Sequence, residues 1–474
     1  MAFNSDIVIG LEVHVELNTE TKLFCNCKRK KESDDEKANT RVCPVCMGHP
    51  GTRPSVNKKA VEFATKLGLA VGSRISDTLI FSRKNYFYPD MSKNFQITQF
   101  ENPLAVGGII RLQSGKEVHL TRIHLEEDAA SLTYPGLMTT APFSWIDYNR
   151  AGDPLAEIVT EPELNSPEEA REFMNQLYSI LSYLEIFDIE TCLIKSDVNV
   201  SIKESGYTRI EIKNVNGFKE VEQALIYEIA RQKMLAKRGI KIKSESRGWN
   251  KIGKTTFLQR IKETEDDYGY IIEPDLPTLR LDKTFVDRIK ETIPELPFQK
   301  IKRFMNDYKL RKDDAYVMSM NKKLADMFEA LTLKFDAYFV ANWLRHEFLR
   351  VLNYNGKSIQ EIDFGIKEIE ELLNLIKKGK ISDKVAKKII EELVKERFSP
   401  QRYVEEQGLV QISSEEEIEE LCNSVLEKEK KAVSDYHSGE EKAMDYLVGK
   451  VMALSKGKAN PKKVRNILLR ILES

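Results

Sequence analysis

The sequence of 474 residues contains no apolar run long enough to cross a membrane and only six cysteines. So few cysteines exclude a small secreted scaffold held together by disulfides. An excess of one charge is also missing, because 73 Lys and Arg face 74 Asp and Glu for a net charge of −1. A uniformly basic nucleic-acid-binding protein is therefore excluded. No signal peptide is predicted within residues 1–10, and a cytoplasmic location is expected.

Apolar residues make up 41% of the chain, enough for a sizeable core, and their spacing changes along it. Residues 1–293 carry short alternating runs that predict strands, interrupted by helical spacing over Pro167–Ile186 and Glu220–Lys237. Glycine becomes rare in residues 294–410, where helical spacing dominates, and residues 411–474 form a charged helical tail. The pattern predicts an α+β fold: a mostly antiparallel sheet, an all-α domain and a small helical tail domain.

Four predicted strands place their polar side chains on one face. Period two groups these side chains by strand as follows: Glu12, His14 and Glu16; Arg122, His124 and Glu126; Asp197, Asn199 and Ser201; Arg209, Glu211 and Lys213. A solvated sheet face is the simpler interpretation of any one strand. Four such strands together favour a site for Mg²⁺ and phosphate, because carboxylate oxygens suit Mg²⁺ and basic residues suit an anionic transition state.

Two close pairs of cysteines point to a metal. Cys25 and Cys27 are followed, after 15 residues, by Cys43 and Cys46, and Gly48 suits a tight turn after the second pair. This spacing predicts a structural zinc site with four thiolate ligands. The alternative is a loop with four reduced cysteines and no metal.

The segment Gly248–Thr255, GWNKIGKT, matches the phosphate-binding P-loop pattern letter for letter. A P-loop follows a buried apolar strand and opens a helix, whereas the preceding residues 241–247 are polar and the following ones look extended. The segment is therefore predicted to be a hairpin turn. A P-loop RNA kinase or NTPase is kept as the alternative function.

Taken together, the motifs resemble the B-subunit family of glutamyl-/aspartyl-tRNA amidotransferases over essentially the whole chain. The matching stretches, in chain order, are Ile9–Leu17, Cys43–Gly51, Ser82–Asp90, His124–Asp128, Asp147–Pro162, Asp197–Ser201, Glu211–Asn216, Glu273–Pro277 and Gly457–Pro461.

The resemblance implies a glutamine-synthetase-like cradle over residues 1–293, a helical domain over 294–410 and a tail domain over 411–474. It implies a heterotrimer with a glutaminase A subunit and a small C subunit. The activity implied is phosphorylation of the side-chain carboxylate of Glu or Asp on misacylated tRNA, using ATP and Mg²⁺. Ammonia from the A subunit then replaces the phosphate, which makes the complex a carbon–nitrogen ligase.

The resemblance also implies roles for individual residues. The positions that match the catalytic and magnesium residues of the family are Glu12, His14, Glu126, Glu127 and Glu157. Asp197 matches a possible second metal ligand, and Lys84 matches a polar residue of the ammonia path. The four cysteines match the zinc-bearing branch of the family. Strand alternation points Glu127 away from Glu126 unless a bulge follows Leu125.

Residues 447–474 carry seven Lys and Arg against one Glu, a local charge of +6 on a chain whose total is −1. Such a cationic patch is expected to attract a polyanion, which the resemblance identifies as tRNA. The residues predicted to bind tRNA are Lys450, Lys456, Lys458, Lys462, Lys463 and Arg465. A solvated helix pair is the simpler interpretation of this segment. A scaffold that positions tRNA through its zinc ribbon without catalysis is a further alternative for the whole chain.

The chain departs from the family pattern at a few positions. Ala130 and Ser131 stand where Gly-Lys is usual, Gly269 replaces an arginine, and Asp266 stands where His or Glu is common. An arginine beside a phosphate stabilises developing charge. These departures therefore leave open a divergent paralogue with altered nucleotide handling.

Overall fold

The computed structural model describes residues 5–31, 35–136, 141–261, 269–410, 414–455 and 458–473. The chain divides into two compact units, Met1–Lys300 and Ile301–Ser474. The first unit is built on strands and the second is helical, which confirms the predicted α+β class. The predicted domain bounds at residues 293 and 410 both remain predictions.

The strands occur in the first unit. Their bounds are β1 Ile7–Glu16, β2 Arg74–Ile75, β3 Thr78–Leu79, β4 Ser82–Asn85, β5 Phe95–Thr98, β6 Ala105–Val106, β7 Ile109–Arg111, β8 Glu117–Glu127, β9 Ser131–Thr133, β10 Trp145–Asp147, β11 Pro154–Thr160, β12 Ile194–Ile202, β13 Ile210–Asn216, β14 Glu245–Asn250, β15 Thr255–Ile261, β16 Tyr270–Ile272 and β17 Leu279–Arg280.

The main sheet runs in the order β15-β14-β13-β12-β1-β11-β8-β6-β2, and β7 pairs with β8. The pairs are antiparallel except for β13 with β14, as the alternating patterns predict. Smaller sheets comprise β9 with β10, β3 with β17, and β16-β4-β5.

The described part of the first unit also contains the helices α1 Lys58–Ala70, α2 Pro167–Leu184, α3 Phe218–Lys237 and α4 Lys283–Glu291. Helix α5 Pro297–Asp307 spans the unit boundary. The sequence signals at the start of α2 are confirmed. Ser166 is its N-cap and accepts a hydrogen bond from the backbone N–H of Glu169 at 3.2 Å, and Pro167 occupies the first helical position.

Strand β1 lies at the centre of the sheet, between β11 and β12. Its odd-numbered residues Leu11, Val13 and Val15 are buried in the hydrophobic core, which also contains the apolar faces of α1, α2 and α3. Glu12 and His14 therefore lie on the opposite face of the sheet. The side chains on that face form the candidate site.

The second unit contains α6 Lys312–Ser319, α7 Lys322–Thr332, α8 Ala337–Trp343, a π-helical turn Leu344–Phe348, α9 Leu349–Tyr354, α10 Ile366–Lys377, α11 Asp383–Leu393, α12 Pro400–Glu406, α13 Glu415–Lys428, α14 Lys430–His437, α15 Glu441–Leu454 and α16 Pro461–Leu472. The predicted caps are confirmed: Ser382 begins α11, and Asn460 with Pro461 begins α16. Among the described residues, no helix is both long enough and apolar enough to span a membrane.

The segment that matches the P-loop pattern is a hairpin. Strand β14 ends at Asn250, four residues turn, and β15 begins at Thr255, which pairs with Asn250. Strand β15 rather than a helix follows this turn. The turn therefore lacks the helix N-terminus that binds phosphate in a P-loop. The hairpin prediction is confirmed, and the P-loop alternative lacks the geometry it needs.

Candidate active site

A row of ionisable side chains crosses three strands on the polar face. His14 of β1 pairs in register with Glu157 of β11, which in turn pairs with His124 of β8. His14 Nε2 lies 3.2 Å from Glu126 Oε1 and 3.3 Å from Glu157 Oε2. His124 Nε2 lies 3.3 Å from the same Glu157 oxygen. We call this group of four residues the histidine–glutamate cluster.

The cluster is largely buried, with His14 half-buried, and its charges stabilise one another. Burial alone would lower the pKa of His14, but hydrogen bonds with Glu126 and Glu157 raise that pKa well above its ordinary value. The pKa of His124 is likewise raised to about 9 against the effect of burial, chiefly by the charge of Glu157. Burial favours a higher pKa for Glu126, but hydrogen bonds from His124 and His14 lower it to about 2.

These shifts predict how pH changes the stability of the metal-free protein. The pKa of His124 is about 9 when folded and about 6.5 when unfolded, so its contribution is complete below pH 6.5 and is lost through pH 9. In chelator, we expect the unfolding temperature to fall as the pH rises from about 7 to above 9. His124→Gln should flatten that slope, and an unchanged slope would contradict the assignment.

A second acidic group adjoins the first on the same face. Oxygen atoms of Glu12, Asp197 and Glu211 lie within 4.8 Å of one another, so they could share a cation. Lys213 Nζ lies 3.3 Å from Asp197 and 3.1 Å from Glu211, and Asn199 donates to Glu12 at 3.0 Å. Burial, followed by the charges of neighbouring carboxylates, raises the pKa of Glu12. We call these three carboxylates the second acidic group.

The structure divides the residues expected around one Mg²⁺. His14, Glu126 and Glu157 come together, while Glu12 pairs in register with Asp197 and joins the second acidic group. Glu127 joins neither group. Strand β8 has no bulge after Leu125, so the Glu127 side chain accepts from the backbone N–H of Ile97 at 2.8 Å. The structure thus places Glu127 outside both groups, and its role as a magnesium ligand stays a prediction.

Glu127 also forms a buried ion pair with Lys93, which lies just before β5. His124 was not among the residues expected to form the site, although its strand pattern places it on the correct face. Its Nδ1 is buried and has no hydrogen-bond partner within the described residues. A buried imidazole nitrogen without a partner is uncommon in native proteins, which makes this position available to a ligand or water.

A cavity of about 640 Å³ opens over both groups. We call it the lysine-lined cavity, because its lining includes Lys84, Lys195 and Lys213 beside His14 and Glu126. Lys84 lies in β4, where it pairs in register with Tyr270 of β16. The cavity also borders Tyr86, whose burial raises the pKa of its phenol so that it stays neutral. Lysine ammonium groups beside carboxylates suit an anionic substrate that also needs a cation.

The four predicted zinc ligands come together. The sulfur atoms of Cys25, Cys27, Cys43 and Cys46 lie within 4.8 Å of one another, as one tetrahedral metal ion requires. The fully buried ammonium of Lys22 lies 3.9 Å from the sulfur of Cys46. A positive charge there offsets the negative charge of four thiolates, so the donor set fits zinc.

The cationic tail is partly neutralised by its own neighbours. Lys450 forms a 2.8 Å ion pair with Glu429, and Arg465 forms one with Asp445 at 2.8 Å. Residues 411–474 as a whole carry 11 Lys and Arg against 12 Asp and Glu. Lys458, Lys462 and Lys463 lie at or near the start of α16, and Lys456 lies outside the described residues. The positive face is therefore smaller than the +6 count indicates.

Three departures from the family pattern lie next to residues that line the lysine-lined cavity. Ala130 is buried, and its N–H donates to Asp90 O at 2.9 Å, while Ser131 begins β9. Gly269 accepts a hydrogen bond from the backbone N–H of Asn85, beside β4, at 3.4 Å. Asp266 lies outside the described residues. Lys195 and Lys213 supply positive charge on this face without an arginine at position 269.

Comparison with known proteins identifies the family of the chain. Residues 7–287 match the family model "GatB/GatE catalytic domain", and residues 326–472 match "GatB domain". The B subunit of the aspartyl/glutamyl-tRNA(Asn/Gln) amidotransferase of Carboxydothermus hydrogenoformans is 42% identical over 98% of both chains. The proteins of the same name from Thermotoga petrophila and Caldanaerobacter subterraneus are each 43% identical over 98% of both chains. The chain belongs to the B-subunit family of tRNA-dependent amidotransferases, a family of carbon–nitrogen ligases.

Proposed function

We propose that this chain uses ATP to activate the side-chain carboxylate of Glu or Asp on misacylated tRNA and then converts it to the amide. The observation that carries the proposal is the pair of adjoining acidic groups under a cavity lined by lysines. Relatives with this chain's full length are named for aspartyl- and glutamyl-tRNA. The family relationship and the electrostatics of the site therefore support the same chemistry.

The residues that would hold Mg²⁺ are His14, Glu126 and Glu157 in the histidine–glutamate cluster and Glu12, Asp197 and Glu211 in the second acidic group. A bound Mg²⁺ would neutralise phosphate oxygens, which would allow an anionic carboxylate to approach the γ-phosphate of ATP. Acidic side chains alone would repel both reactants. The carboxylate oxygens fit Mg²⁺ in donor type and spacing, whereas the His14 nitrogen is an unusual ligand for this ion.

The reaction has two steps. A carboxylate oxygen forms a bond to the γ-phosphorus of ATP as the bond to the bridging oxygen breaks, and ADP leaves with the electron pair. Ammonia then attacks the acyl carbon of the mixed anhydride, phosphate departs, and the nitrogen loses a proton. Lys84, Lys195 and Lys213 would orient the anionic groups and offset their charge. Exclusion of water protects the anhydride from hydrolysis.

Two further subunits are expected, since the relatives are named as B subunits. A glutaminase A subunit would supply ammonia along a path past Lys84, and a small C subunit would complete a cytoplasmic heterotrimer. The zinc ion proposed for the four cysteines would be structural, because all four ligands come from the protein.

The test is co-purification with candidate A and C subunits, followed by assay on Glu-tRNA(Gln) and Asp-tRNA(Asn). We expect ATP hydrolysis that depends on misacylated tRNA, and amide formation on at least one of the two. A complex that binds both tRNAs but leaves ATP and the ester-linked residue unchanged would instead support the non-catalytic scaffold.

The tail is proposed to bind the tRNA body. Deleting residues 411–474 is expected to raise the KM for misacylated tRNA while glutamine hydrolysis without tRNA survives. In the full chain, Lys458→Ala with Lys462→Ala should raise this KM and reduce the slope of its salt dependence by about two phosphate contacts. Lys388→Ala is the matched control, because this exposed lysine lies in α11, outside the tail. Equal salt dependence of this KM in the wild type, the double variant and the control would show that the tail does not bind tRNA.

A further inference from the structure

The wall of the lysine-lined cavity carries two further carboxylates, Asp90 and Asp128. They belong neither to the histidine–glutamate cluster nor to the second acidic group, and the reaction proposed above does not use them. Asp90 lies in the loop between β4 and β5, and its carbonyl accepts a hydrogen bond from the N–H of Ala130 at 2.9 Å. This bond holds the loop beside the chain that leaves β8.

The protein itself already satisfies the carboxylate of Asp128. Its Oδ2 atom lies 3.1 Å from Arg150 Nε and 3.4 Å from Lys195 Nζ. Its Oδ1 atom accepts from the backbone N–H of Ala129 at 2.8 Å. Two cations and a hydrogen bond leave Asp128 with no need of a positive charge from a ligand.

The carboxylate of Asp90 lacks such partners. Its Oδ1 atom is buried and has no hydrogen-bond partner within the described residues, and the nearby Arg150 pairs with Asp128 instead. Burial raises the pKa of Asp90, and its own backbone N–H and the charge of Arg150 offset this effect only in part. A buried carboxylate oxygen without a partner costs free energy unless a ligand supplies one.

The proposed substrate carries a cation close to its reacting group. An amino acid joined to tRNA through its carboxyl group keeps a free α-amino group, and a neighbouring carboxylate favours the protonated form of that group. The side-chain carboxylate lies only a few bonds away. Lys195, the partner of Asp128, lies two positions before Asp197 on β12, about 7 Å along the strand. The cavity wall therefore offers an anion, a lysine and the second acidic group in succession.

We propose that Asp90 binds the α-ammonium group of the amino acid on tRNA and so directs its side-chain carboxylate past Lys195 toward the second acidic group. The inference rests on the proposed function and assigns to it a residue that determines specificity. The relatives are named for both aspartyl- and glutamyl-tRNA, and both amino acids carry this ammonium at the same distance from the ester. Among the described residues, Asp90 belongs to no group of three side chains that could share a metal ion, which favours an organic cation.

The test uses the assembled complex and two acylated tRNAs. One carries glutamate and the other its α-hydroxy analogue, in which a neutral hydroxyl of similar size replaces the ammonium. We expect the wild type to amidate the glutamate form with a kcat/KM about 10- to 100-fold higher, the effect of one hydrogen bond to a charged group. Asp90→Asn should lower kcat/KM for the glutamate form by that factor and leave the hydroxy form nearly unchanged.

Asp287→Asn is the matched control, because it changes an exposed aspartate in α4. It should keep the preference of the wild type for the ammonium. The KM for ATP and the rate of glutamine hydrolysis should stay at their wild-type values in both variants. Asp90→Ala, in which the side chain is shorter, provides the same comparison if Asp90→Asn fails to fold.

The outcomes separate this inference from the proposed function. A wild-type complex that amidates neither tRNA in the presence of ATP and glutamine would refute the proposed function. An active wild type with equal kcat/KM for the two tRNAs would refute recognition of the ammonium alone. A preference that persists in the Asp90 variants would assign the ammonium to another residue, and an equal loss for both tRNAs would make Asp90 structural. Either of these last two results would overturn the inference.

Discussion

Glu126→Gln in the assembled complex is expected to lower tRNA-dependent ATP hydrolysis and amide formation by about 10³-fold, the effect of losing several kcal/mol of transition-state stabilisation. The Glu126 carboxylate is buried, contacts His14 at 3.2 Å and accepts from the Thr98 hydroxyl at 3.3 Å. Glutamine keeps the shape of the side chain but removes the negative charge that would interact with His14, His124 and a bound cation. Glutamine hydrolysis by the A subunit should persist, and full amidation activity would refute the role of Glu126.

Glu127→Gln is the matched comparison, because the two carboxylates are neighbours in sequence and point to opposite sides of β8. Glutamine at 127 can still accept from the N–H of Ile97, but it leaves the buried ammonium of Lys93 unpaired. We expect phosphoryl transfer to continue and stability to fall by about 3–5 kcal/mol. A loss of ATP hydrolysis equal to that of Glu126→Gln, with stability unchanged, would return Glu127 to the metal shell.

Cys46→Ala is expected to remove the zinc from the purified protein, from about one ion per chain to almost none. Metal binding by four thiolates stabilises small zinc domains by about 10 kcal/mol or more, so the segment around the cysteines should lose its fold. Ser92 donates to the carbonyl of Cys46 at 2.7 Å, which joins this segment to the loop before β5. The unfolding temperature should therefore fall as well.

The matched control is Cys192→Ala, which removes a buried thiol outside the four-cysteine group. Its zinc content should equal that of the wild type. Elemental analysis and thiol titration of the native proteins make the comparison. If the four thiols of the wild type titrate freely and no zinc is found, the cysteines lie in a loop that binds no metal.

Strand alternation was sufficient to predict which face each site residue occupies. The pattern of Leu11–Leu17 places Glu12 and His14 together, and the structure confirms this. Alternation does not predict which neighbouring strand a side chain meets, because that depends on register across the sheet. The register places His14 beside Glu157 and Glu12 beside Asp197, so one predicted site becomes two adjoining groups.

Counting charges in the tail predicted its exposed positive charge less well than strand alternation predicted the polar face of the sheet. The seven cations after residue 447 are evident in the sequence, but the acidic partners of three of them, Glu429, Asp445 and Glu419, lie on other helices or earlier turns. Partners distant in sequence become neighbours only when the helices pack.

The central position of β1 has a consequence for how the protein gains activity as it folds. Its side chains Glu12 and His14 meet partners at residues 126, 157, 197 and 211, so the contacts that β1 makes in the site span long stretches of chain. Such non-local contacts form slowly, because loop closure costs entropy before pairing repays it. The helical second unit, whose contacts are more local, should recover its secondary structure first in refolding. During refolding, the site would then regain cation binding only when the main sheet is complete, and not at the early collapse of the chain.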